Sequence, residues 1–166
     1  MSAAADTFRP GWSFVYRHPA HCIAFAGGIG LFPAAPGTFG TLAAFPLFWW
    51  LDRQLLPWEF LGVLGLMYGL GVWACGRAGR WLRVPDHPGM VWDEIVAFLL
   101  VLFFTPDDLG WQAFAFLLFR AFDIAKPPPI RYFDAHMKNG AGVMLDDLLA
   151  AFYALLVLAA VRALLH

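Results

Sequence analysis

Charge is scarce in this 166-residue sequence: only 14% of it is Asp, Glu, Lys or Arg, against about 25% in an ordinary soluble domain. The 11 basic and 12 acidic residues nearly cancel to a net charge of -1, which excludes a generally basic nucleic-acid binder. Serine is rarer still. Ser2 and Ser13 both lie near the N-terminus and no G-x-S-x-G occurs, so a serine-hydrolase nucleophile is not expected. Two cysteines, Cys22 and Cys75, are too few for a disulfide framework and read as reduced thiols in apolar surroundings. The run from Cys75 to Arg80, CGRAGR, is one residue short of a cysteine-phosphatase loop. No G-x-x-x-x-G-K-[ST] is present, and the five histidines form no H-E-x-x-H or other tight helical pair, so neither a P-loop nor a zinc site is expected. The N-terminus has no unbroken apolar run before its charges, and no removable signal peptide is expected.

What is abundant is apolar. Hydrophobic residues make up 61% and aromatics 17%, with a mean hydropathy of +0.65, too much to hide in one core of this size. The expected fold is all-α, a multi-pass membrane bundle of about five helices with broken or short members. The five apolar stretches are residues 37–51, 58–75, 91–104, 111–122 and 143–165. A perpendicular crossing takes about 20 residues, or about 17 at the least. The third and fourth fall short, so they are expected to lengthen into their flanks, thin the bilayer or form a re-entrant pair. Five crossings from a cytoplasmic N-terminus leave Arg9, Arg17, Arg77, Arg80, Arg83, Arg120, Lys126, Arg131 and Lys138 inside, with Arg53 and Arg162 outside. Nine against two satisfies the positive-inside rule. No repeat, heptad or long linker divides the chain, so residues 1–166 are read as one membrane-embedded domain with residues 1–20 as a cytoplasmic tail.

In that topology four polar segments, residues 33–41, 86–94, 120–134 and 139–147, all fall at the inner ends of the helices. Carboxylates inside apolar helices are costly, so Asp93, Glu94, Asp123, Asp134, Asp146 and Asp147 are expected to face a cavity, a cation or a partner. Neighbouring acids diverge by about 100° on a helix, so one of a pair can bind a cation while the other orients a ligand. Several could instead complement the helix dipole at water-facing starts. Oxygen-only donors suit Mg²⁺ or Mn²⁺ better than zinc, which makes Asp93, Glu94, Asp146 and Asp147 the candidate metal ligands. Residues 35–41, APGTFGT, look like a helix opening with free N–H donors, so Gly37, Thr38 and Thr41 are candidate phosphate contacts, although a plain cap has the same sequence. Residues 139–142, NGAG, read as a tight turn or an anion nest. Three consecutive prolines after Lys126 are expected to hold an extended segment between helices, making Lys126 and Arg131 an anion clamp or, alternatively, a basic loop on anionic lipid heads.

Four blocks in this order resemble the phosphatidylglycerophosphatase A family of bacterial membrane phosphatases: GGIGLFPAAPGTFGT ending at Thr41, VWDE at residues 91–94, FRAFDIAKPPPIRYFD at residues 119–134 and GVMLDD at residues 142–147. With the hydrophobic pattern the resemblance covers about residues 20–155. Asn139 stands where a glycine pair is expected with Gly140. The resemblance implies Mg²⁺-dependent removal of the terminal phosphate from phosphatidylglycerophosphate at the cytoplasmic side of a bacterial inner membrane. Asp93, Glu94, Asp123, Asp146 and Asp147 would then be catalytic or metal-holding, and Gly37, Thr38, Thr41, Arg120, Lys126, Arg131 and Asp134 would bind substrate. Partners are that lipid and the membrane, with no nucleic acid. Direct attack by water and an aspartyl-phosphate intermediate both remain open. The rivals are a lipid-phosphate transferase and a small cation-coupled transporter, whose acids should sit near the bilayer midplane.

Overall fold

The computed structural model describes residues 10–165, so Arg9 with the start of the N-terminal tail, and His166, lie outside the described residues. Every regular element among them is helical. Two short helices, α1 (Trp12–Val15) and α2 (Pro19–Ala24), lead through a 3-10 turn at Ala26–Leu31 into α3 (Pro36–Gln54). Then come α4 (Pro57–Leu82), α5 (Trp92–Phe104), α6 (Leu109–Ala125), the short α7 (Ile130–His136) and α8 (Gly140–Leu165). The caps are local chemistry. Pro57 opens α4 while Glu59 accepts the Leu56 N–H at 2.8 Å, Asp108 accepts the Trp111 N–H at 3.0 Å at the start of α6, and Asn139 accepts the Gly142 N–H at 2.9 Å at the start of α8.

Each expected apolar stretch became one helix, α3, α4, α5, α6 and α8, and only α4 and α8 are long and apolar enough by themselves to cross a bilayer. The short α5 has 13 residues, about 20 Å at 1.5 Å per residue. It packs against α3, α4, α6 and α8, and the side chains from Ile95 to Leu99 are all buried. A helix wrapped by protein is apolar on every side. Phe45, Phe116 and Phe119 close on Phe98 of α5 at ring-centroid distances of 5.3, 5.9 and 5.5 Å.

Close helix crossings place the acidic ends. A Cβ at Gly140 would strike the Val72 carbonyl and come within 2.6 Å of the Gly76 nitrogen, so glycine lets the start of α8 lie directly on α4. The three prolines do not form the extended segment expected. Pro129 has φ -87° and ψ 1°, and the Ile130 N–H returns to the Pro127 carbonyl at 2.8 Å, so residues 127–129 make a tight turn that α7 continues. Proline suits both the turn and a helix start, because its missing N–H is needed in neither. The NGAG stretch is the capped start of α8, with Asn139 working through its side chain.

Candidate active site

The first turns of α3 and α5, the end of α6 and the second turn of α8 converge on one cavity of about 310 Å³. Gly37, Asp86, Asp93, Glu94, Arg120, Asp123, Lys126, Asp146 and Asp147 line it. Residues from all four polar segments thus meet at one end of the bundle.

Two carboxylate triads meet at this cavity, Asp134 of the second lying behind its lining. Asp93, Glu94 and Asp147 bring one oxygen each within 4.8 Å of one another, as do Asp86, Asp134 and Asp146. The second triad holds an ammonium: Lys126 Nζ is bonded to Asp146, lies 3.2 Å from Asp134 and 4.0 Å from Asp86. Lys126 does this from a left-handed backbone position, φ 43°, at the end of α6. That conformation costs a residue with a Cβ about 1 kcal/mol. Burial opposes the charge on Lys126, but the Asp146 contact, with Asp134 and Asp86 behind it, outweighs burial and lifts its pKa above the ordinary lysine value. Asp86 moves up from the ordinary carboxylate value through burial, which Lys126 only partly offsets.

The first triad holds no such cation. Asp93 Oδ1, Glu94 Oε2 and Asp147 Oδ2 are buried without a hydrogen-bond partner. Each such acceptor costs about 1–3 kcal/mol, and more when charged, so these three around one space form a group that could hold a cation. Asp93 and Asp147 are 5% and 4% exposed, which leaves water little part in solvating them.

Arg120 borders this triad. Its guanidinium is bonded to Asp123, lies 3.6 Å from Glu94 and 3.5 Å from the Thr41 hydroxyl, and its Nε is buried without a partner. Thr41 donates in turn to the Gly37 carbonyl at 2.9 Å. Gly37 is glycine for space, because a Cβ there would overlap Glu94 Oε1 and come within 3.2 Å of an Arg120 terminal nitrogen.

The adjacent acids behave differently. Asp146 and Asp147 part company, one to Lys126 and the other to the open triad, as their angular divergence requires. Asp93 and Glu94 join the same triad, the extra methylene of Glu94 covering the turn between them. Asp134 reaches the site through Lys126. Thr38, Thr41, Arg131 and Asp134 are outside the cavity lining; Thr41 meets the site through Arg120, and Arg131 is exposed on α7. Asp86 was not among the expected site residues. Its signal was weak, since it merely begins the polar segment 86–94 and a loop acid has no helical spacing to betray its partner.

Comparison with known proteins identifies the family. The family model for phosphatidylglycerophosphatase A matches residues 22–162. A Haemophilus influenzae phosphatidylglycerophosphatase A is 44% identical over 147 residues, covering 87% of this chain and 90% of the relative. The Escherichia coli phosphatidylglycerophosphatase A is 40% identical over 136 residues, 80% of this chain and 77% of the relative. A Bacteroides thetaiotaomicron protein with a provisional phosphatidylinositol-3-phosphatase name is 36% identical over 143 residues, 81% of this chain and 88% of the relative. No solved structure matches. With its four motif blocks gathered around one acidic cavity and the family model spanning residues 22–162, the chain belongs to the phosphatidylglycerophosphatase A family.

Proposed function

We propose that this chain is a Mg²⁺-dependent phosphatase that removes the terminal phosphate of phosphatidylglycerophosphate, leaving phosphatidylglycerol, at the cytoplasmic face of a bacterial inner membrane. The observation that carries the reading is the open triad: three unpartnered, buried carboxylate oxygens beside Arg120 and Lys126. Asp93, Glu94 and Asp147 fit a hard divalent ion, being all-oxygen donors of one small space. Such an ion, held there, would supply charge neutralisation at phosphoryl oxygens and a lowered pKa for water.

The chain's own groups account for the rest. Arg120, oriented by Asp123 and Thr41, offers a guanidinium to the phosphoryl oxygens, and Lys126 offers a point charge from the other side. Asp86, Asp134 and Asp146 seat Lys126 so that its ammonium stays charged and aimed. Gly37 leaves the room at the start of α3 in which the Glu94 carboxylate and the Arg120 guanidinium sit side by side. The net reaction exchanges the phosphorus–oxygen bond to the lipid glycerol for one to water.

In this reading α3, α4, α5, α6 and α8 cross the membrane. Its support is the outer surface: Leu66 is 76% exposed and Leu164 86%, which lipid accommodates and water does not. Trp58 is exposed near one end of α4 and Trp81 near the other, as interfacial anchors are. The short α5 needs no lipid match because protein surrounds it.

The test is phosphate release by the purified full chain from phosphatidylglycerophosphate, phosphatidic acid and phosphatidylinositol 3-phosphate, in EDTA and after Mg²⁺ add-back. Mg²⁺-restored release fastest from phosphatidylglycerophosphate is expected. Preference for either other lipid would overturn the substrate assignment.

A further inference from the structure

A second recess opens at the same end of the bundle as the acidic cavity, where α4 finishes and α8 begins, and its volume is also about 310 Å³. Gly76, Gly79, Arg80, Arg83, Lys138 and Asn139 line it, with Pro85 and Gly140. Three cations and no carboxylate face this space. Among the described residues Arg80 and Arg83 enter no ion pair, and the one acid near Lys138 is Asp134, at 3.9 Å. The cations of the acidic cavity are different: Arg120 and Lys126 are both tied to carboxylates.

Glycine lets the backbone pack closely beneath the recess: a Cβ at Gly79 would come within 2.8 Å of the Pro85 carbonyl oxygen, and one at Gly140 would strike the Val72 carbonyl. Arg83 ends α4 in the left-handed region, φ 57°, a position where glycine is the usual residue. An arginine there bears a conformational cost and places its guanidinium on the recess. The N-terminal dipole of α8 adds positive potential at the Asn139–Gly140 edge.

We propose that this recess is a second anion site, distinct from the acidic cavity, which takes the phosphodiester headgroup of an anionic phospholipid. Two unpaired guanidinium groups and one ammonium suit the oxygens of a phosphodiester. The lipid source follows from position. The recess lies between the ends of α4 and α8, the two helices long and apolar enough to cross a bilayer, and so at headgroup depth. This inference rests on the membrane reading above and not on the hydrolytic one. Asp134 stands between the two sites, close to Lys138 on one side and Lys126 on the other.

The experiment measures equilibrium binding of dihexanoyl-phosphatidylglycerol, dihexanoyl-phosphatidylcholine and inorganic phosphate to the purified full chain in zwitterionic detergent. Saturable binding of the glycerol lipid, at least tenfold tighter than of either other probe, is expected. Arg83→Gly, which suits the left-handed backbone, combined with Arg80→Gln should weaken it at least tenfold. Arg77→Ala, which removes a charge from the same face outside the recess, should change it less than twofold. Arg120→Gln, which disables the acidic cavity, should leave it intact, so loss of phosphatase activity and loss of this site are read separately. If the double variant does not fold, Lys138→Gln replaces it, with at least a threefold loss expected. Equal binding of the choline lipid, equal binding of inorganic phosphate, insensitivity to the recess substitutions or loss on Arg120→Gln would each overturn the proposal.

Discussion

Gly37→Ala adds a single methyl group and removes no functional one, yet it should disable the site. The new Cβ would overlap Glu94 Oε1 and lie 3.1 Å from Glu94 Cδ and 3.2 Å from an Arg120 terminal nitrogen. Backbone on α3 cannot easily retreat, because Gly40 on the same face already sits where a Cβ would be 2.8 Å from that of Val91. The Glu94 carboxylate therefore moves, by on the order of 1 Å, and displacements of that size cost up to about a hundredfold in rate. Because Glu94 belongs to the open triad and lies 3.6 Å from Arg120, two groups are misplaced together. A fall in kcat/KM of about 10- to 100-fold is expected, about 1.4–2.7 kcal/mol of lost transition-state stabilisation. Global stability should change little, since a helical Gly→Ala exchange itself contributes about 0.5–1 kcal/mol in favour of the fold. Gly65→Ala is the control: nothing lies within 4 Å of its Cβ, so activity should stay within twofold and the melting temperature should not fall. The assay is phosphate release from phosphatidylglycerophosphate, with the melting temperature measured alongside. Gly37→Ala activity within twofold of wild type would refute the packing argument.

Lys126→Met leaves Asp86, Asp134 and Asp146 without their cation, so the variant should bind a second divalent ion per chain, seen by metal analysis, and lose at least 100-fold in phosphate release; one ion and a normal rate would count against the role given to Lys126. With Cys22 and Cys75 replaced, single cysteines at positions 128 and 139 should resist an impermeant thiol reagent in intact cells while one at 107 reacts; labelling at 128 or 139 would reverse the topology. Burial lowers the pKa of His87, against a pull upward from Asp86, and its Nδ1 accepts the Gly89 N–H at 3.0 Å. The folded chain thus binds this proton less readily than the unfolded chain, so its contribution to stability is present above about pH 6.5 and is lost as the pH falls below it. His87→Asn, which keeps an acceptor, should flatten the decline in melting temperature between about pH 7.5 and 5.5, and an unchanged decline would clear His87 of the effect.

Hydropathy located the helices and misjudged their ends. The apolar stretch 58–75 stops where Arg77 and Arg80 begin, but α4 continues to Leu82, because backbone hydrogen bonding does not end where water starts. The start of α8 at Gly140 is set by the Asn139 side chain, which carries no hydrophobic signal. Helices of four to seven residues, α1, α2 and α7, are too short to show a period. The acids at the helix ends were legible because carboxylates are out of place in apolar helices. Their division into two triads was not, since it depends on the left-handed turn that swings Lys126 onto Asp146. Arg131 carries the same charge five positions on, yet the turn at residues 127–129 puts it on the exposed side of α7.

The most direct test of the central claim, that Asp93, Glu94 and Asp147 hold the divalent ion on which phosphate removal depends, is the Mg²⁺ dependence of phosphate release from phosphatidylglycerophosphate by wild type and Asp147→Asn. Wild type should be inactive in EDTA and recover with a saturating dependence on Mg²⁺. Asp147→Asn, folded and equally expressed, should require at least tenfold more Mg²⁺ for half-maximal release and stay slower at saturation. Undiminished release in EDTA, or superimposable Mg²⁺ curves for the two proteins, would contradict the account.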